Sequence, residues 1–162
     1  MTTDRKINEI LERVPKFQGV FLYDELDLVP NKSDGVLVMN YITRDEAKRG
    51  IVGHYIVLDY RDDIIKGNDY WAGNYLFGSY GLPPDIPREY LDLPNTHNVQ
   101  NFMDRVGGHW KHNTTDFQSK KPYDDTCGVY SCLYTLNPDF ETNPVFQLGV
   151  PRLELDDEMM SL

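Results

Sequence analysis

Reactive chemistry in this chain centres on one cysteine and four histidines. The stretch Asp124-Asp125-Thr126-Cys127-Gly128-Val129-Tyr130-Ser131-Cys132-Leu133 stands out first. After Cys127, apolar residues fall at Val129, Cys132, Leu133 and Leu136. That i, i+3, i+4, i+7 spacing predicts a helix buried along one face. Gly128 permits a tight turn into it. A cysteine opening such a helix meets unpaired N–H groups and the positive end of the helix dipole, and both favour a thiolate. The thiolate is a nucleophile. The same residue also reads as a small buried core side chain, so the surroundings must decide.

A cysteine nucleophile needs a base, and the base needs an orienter. Of His54, His97, His109 and His112, His54 is the best placed. It follows Gly53 and opens the run Tyr55-Ile56-Val57-Leu58, so it is a polar residue at the edge of a core strand. His97 lies in a polar loop. His109 and His112 flank Trp110-Lys111, and at that spacing on a strand they face opposite ways, which makes no metal pair. No metal site is expected. An oxyanion needs two donors: the backbone N–H of Cys127 is one, and a side-chain amide just upstream, Gln118, is a candidate for the other.

Composition narrows the class. A chain of 162 residues is one domain with room for a core, and eleven tyrosines argue against disorder. The only two cysteines are five apart, which suits a reducing compartment better than a disulfide framework. No secretory signal opens the chain, and no run of about 18 apolar residues would span a membrane. Asn113-Thr114-Thr115 is therefore read as a chance glycosylation match. A net charge of −10 disfavours general nucleic-acid binding.

Periodicity predicts a helix over 4–14 ended by Pro15, then strands at 17–24, 35–40, 53–60 and 74–80. The segment 44–50 reads as a charged connection. Short helices follow at 87–91 and 99–106, then a short strand at 109–113 and the helix from Cys127. This is an α+β pattern: a mostly antiparallel mixed sheet packed against a central helix. Residues 1–140 form the domain and 141–162 an acidic C-terminal extension.

The order of these pieces matches a family. Gly53-His54-Tyr55, then Phe77-Gly78-Ser79-Tyr80-Gly81-Leu82-Pro83-Pro84, Phe117-Gln118-Ser119 and Asp125-Thr126-Cys127-Gly128 resemble the adenovirus-type maturation cysteine proteases and their virophage relatives. Phe17 to Asp24 resembles the family's opening segment and Val38-Met39-Asn40 its strand before the histidine. The fold and papain-like chemistry of that group are shared with the SUMO-deconjugating proteases. The resemblance implies a viral cysteine endopeptidase with Cys127 as nucleophile, His54 as base, Gln118 in the oxyanion hole and a thiolate–imidazolium mechanism. Its substrates would be capsid or other virion precursors cut after glycine, in the virion and the reducing interior of the host cell. The family's acidic orienter falls at Gly78, which has no side chain. A backbone carbonyl, a water, Asp59 or Tyr80 would stand in, or the chain is a weakened or inactive protease-fold virion protein. A deconjugating protease for a ubiquitin-like modifier is the third reading. The adenovirus enzyme's peptide and DNA activators are not expected to carry over, so no cofactor is anticipated, and a monomer is.

Overall fold

The computed structural model describes residues 3–50, 53–66, 73–79, 97–114 and 127–138. The chain runs through helix α1 (Asp4–Leu11), strand β1 (Phe17–Leu22), a 3₁₀ helix (Tyr23–Leu28), β2 (Val36–Asn40) and α2 (Arg44–Lys48). It continues through β3 (Tyr55–Asp59), β4 (Asn74–Gly78), α3 (Asn98–Val106), β5 (Trp110–His112) and α4 (Cys127–Leu136). The α+β class holds. The sheet order is β1-β2-β3-β4-β5. Its central pairs, β2–β3 and β3–β4, are antiparallel, but β1–β2 and β4–β5 are parallel. The sheet is thus evenly mixed rather than mostly antiparallel. In each parallel case the intervening chain crosses back over the sheet, carrying the 3₁₀ helix in one connection and α3 in the other, which a hairpin cannot do.

Alternation along the strands builds two cores. Val36, Val38, Tyr55, Val57, Tyr75 and Phe77 face α1 and α4 on one side. Leu37, Met39, Ile56, Leu58 and Leu76 face the 3₁₀ helix and α3 on the other. Every residue of β2 and β3 is buried, which explains their continuous apolar runs.

Two local readings change. The segment 44–50 contains a helix because Thr43 and Glu46 form a reciprocal capping box, a signal visible as Thr-x-x-Glu. And α4 is buried on most of its circumference, not on one face: Cys127 to Cys132, Tyr134 and Thr135 are buried, while Leu136 is 50% exposed. Its polar residues enter the core by bonding back along the helix. Ser131 Oγ donates to Cys127 O and Thr135 Oγ1 to Ser131 O, each at 2.8 Å. The expected helix at 87–91 and the acidic extension at 141–162 lie outside the described residues.

A buried ionic cluster fastens the C-terminal half of α4. Arg61 donates to both oxygens of Asp59, from Nε and Nη2 at 2.9 Å, and from Nη1 to Thr135 O at 3.2 Å. Tyr134 Oη donates to Asp59 Oδ2 at 2.9 Å. Buried Lys66 donates to the carbonyls of Arg61, Gly73 and Asp59. Removing one member strands the others without their counter-charge. Asp59→Ala is expected to lower the unfolding free energy by about 3–5 kcal/mol in urea titration, whereas Glu9→Ala, which removes only an exposed pair with Arg5, changes it by less than about 1 kcal/mol.

Candidate active site

The site begins where β3 begins. Asn40 and Tyr55 form the last register pair of the β2–β3 ladder. Just before it, Gly53 lies so close to Asn40 that a Cβ would collide with Asn40 Oδ1 and sit 2.7 Å from Ile42 Cγ2. A side chain here would force Asn40 and Ile42 to move. His54 follows. Its carbonyl accepts Tyr41 N–H at 2.9 Å, and its ring stacks on that of Tyr41, with centroids 6.2 Å apart and planes 15° apart. Tyr23 stacks behind Tyr41 at 5.6 Å. Both tyrosines are buried, so two fixed rings support the plane of the imidazole. Burial pulls His54 down to about 4, so the imidazole is neutral at pH 7. A cavity of about 420 Å³ opens beside Tyr23, between the 3₁₀ helix and α3, with Asn98, Phe102 and Arg105 in its wall.

Cys127 is the first residue of α4 and is buried. Its sulfur accepts the backbone N–H of Tyr55 at 3.5 Å. That amide belongs to the peptide joining His54 to Tyr55. The Cys127 sulfur therefore lies at the end of β3 that His54, 73 positions earlier by number, immediately precedes. An N–H aimed at sulfur favours the thiolate over the thiol. Cys132, one turn further along, differs. Burial pushes it up to about 12, which makes it an inert core thiol. Neither cysteine is in a disulfide.

Other expected residues are placed less simply. Gln118 and Tyr80 lie outside the described residues. Asp59 does not serve His54: it is at the other end of β3, committed to Arg61 and Tyr134. Gly78 ends β4, and among the described residues an added Cβ would meet Ile56 Cγ2, at 3.4 Å, an ordinary contact distance. Asn113 takes both backbone groups of Gly78, donating from Nδ2 to its carbonyl and accepting its N–H at 2.9 Å. Asn113 is buried, so its place in a glycosylation pattern is a coincidence and its role is to extend the ladder past β5. Of the remaining histidines, His97 precedes α3, His109 precedes β5 and His112 sits in β5 with Nδ1 at 3.0 Å from Asn113 O. Sequence reasoning missed Tyr41 and Asn113. Tyr41 carries no motif, and its meaning depends on strand register.

No protein-family model matches the chain, and no curated protein is significantly similar to it. Among the described residues, no helix is long and apolar enough to cross a membrane.

Two expectations follow from this geometry. An unfolded histidine titrates near 6.5 and folded His54 near 4, so between these values the unfolded chain binds more protons. Stability should fall as pH drops from 6.5 to 4, and His54→Gln should remove that part of the loss, at most about 3 kcal/mol, in urea titrations across this range. Gly53→Ala must displace Asn40 or the strand entry, so it should destabilise by about 1–3 kcal/mol by the same measurement.

Proposed function

We propose that the chain is a cysteine endopeptidase that cuts viral precursor proteins, with Cys127 as nucleophile and His54 as base. The observation that carries this reading is the Tyr55 amide on the Cys127 sulfur, which puts the thiol beside the histidine-bearing end of β3. The neutral state of His54 bears on the mechanism. A base that rests uncharged takes the thiol proton as sulfur attacks the scissile carbonyl, so charge separates during attack, in place of the resting thiolate–imidazolium pair that the resemblance implies. The Cys127 N–H, with Gln118 as second donor, would hold the oxyanion. Collapse expels the amine, protonated by His54, and leaves a thioester. Water, deprotonated by His54, then releases the acid and restores the thiol.

Gly78 supports a second reading. It offers no carboxylate on the strand beside β3, so a protease-fold virion protein with weak or no activity is the competing assignment. Deconjugation of a ubiquitin-like modifier is the remaining one.

Alkylation followed by mass spectrometry separates them. The peptidase reading expects Cys127 to react with iodoacetamide at least about tenfold faster than Cys132 at pH 7, and Cys127→Ala to abolish precursor cleavage without unfolding. Equal, slow labelling of both thiols together with no cleavage would sink it. Capture of Cys127 by a ubiquitin-like vinyl-sulfone probe would favour deconjugation.

A further inference from the structure

The ladder whose end meets the Cys127 sulfur finishes at the pair Asn40 and Tyr55. Terminal pairs open most easily. This one is closed by a third element. Asn40 Nδ2 donates to Asp4 Oδ1 at 3.2 Å, and Tyr55 Oη donates to the same oxygen. Asp4 lies in the first turn of α1, where Thr3 caps the helix by accepting Lys6 N–H at 3.2 Å. Ile7 and Leu11 of α1 pack into the same apolar cluster as Tyr55, Cys127 and Cys132. The contact is maintained against a local cost. Asn40 Oδ1 is buried without a donor, facing Gly53, an arrangement that leaves an acceptor unsatisfied in order to turn the amide group toward Asp4.

We propose that Asp4 is a positioning residue for Cys127. One carboxylate oxygen on the N-terminal helix clasps both strands at the end of the ladder and fixes the Tyr55 N–H against the sulfur. The inference rests on Cys127 being the reactive thiol and goes beyond it: docking of α1 sets how reactive that thiol is.

Two substitutions isolate the clasp. Asp4→Asn keeps an oxygen acceptor and removes the charge; Asp4→Ala removes both. Any effect of charge on the thiol is common to the two. The rate of Cys127 alkylation by iodoacetamide at pH 7 should be roughly three- to tenfold lower in Asp4→Ala than in Asp4→Asn, because the sulfur loses the aligned N–H that favours its thiolate. Cys132 reports folding in the same spectra. Equal Cys127 rates in the two variants, with Cys132 protected in both, would overturn the proposal. Should Cys132 label rapidly in Asp4→Ala, α1 has come away altogether. Tyr55→Phe then decides, because it deletes one hydroxyl from an otherwise intact core: slowing of the same size supports the clasp and an unchanged rate refutes it. Precursor cleavage by the unmodified protein tests the peptidase reading separately, since these rates do not depend on any substrate being cut.

Discussion

The structure depends on how α4 is fixed along β3. At one end the Cys127 sulfur meets the Tyr55 amide; at the other Tyr134 and Thr135 meet Asp59 and Arg61. Between these points Val129 and Cys132 pack in one cluster with Val57 and Phe77. A helix held only by apolar contacts can slide by fractions of a turn at small cost, since such contacts are not directional. Two polar attachments, one at each end, set both its rotation and its axial position. The position of a nucleophile at the first residue of a helix is then as well defined as the strand beneath it.

The strand also sorts the reactive groups by parity. Tyr55, Val57 and Asp59 face α4, whereas Ile56, Leu58 and Tyr60 face the opposite layer. His54 stacks on Tyr41, which belongs to that opposite core. The thiol thus comes from one layer and the imidazole is supported from the other. A five-stranded sheet separates those layers along the length of the strand. If both act on one substrate, as proposed, they can do so only past the strand's first residue, where the ladder ends. His54 immediately precedes β3, and Gly53, Asn40 and Asp4 crowd the same place.

Much of this was legible from residue order. Helical spacing located α1, α3 and α4, and apolar runs located β2, β3 and β4, because these elements are governed by local periodicity. The placement of Cys127 at a helix start and of His54 just before a strand was legible as well, each from its local setting. The parallel outer pairs were not, because crossover direction depends on how Tyr23, Leu26, Val99 and Phe102 pack on the sheet, and no local pattern encodes that. The full burial of α4 was hidden for a related reason. Ser131 and Thr135 read as polar positions, yet each satisfies its hydroxyl on its own helix and so can face the core. Asp59 looked available to a histidine until Arg61, two residues on, was seen to occupy both its oxygens. Asp4 was legible as a helix-start residue, and only the register of Asn40 with Tyr55 gives it a second role.

Charge is distributed unequally along β3. Its C-terminal end buries a carboxylate with a guanidinium and an ammonium, each held by several partners. At its N-terminal end burial disfavours charge on His54 and Tyr55 alike, lowering the first and raising the second. A buried ion is tolerated where its counter-charges are fixed in advance. On the reading proposed above, charge that develops during attack would be met by groups already in position: the Tyr55 amide at sulfur, and the helix N-terminus at the oxyanion. The ionic cluster contributes to this without touching the site, because it holds the helix whose first turn carries the sulfur.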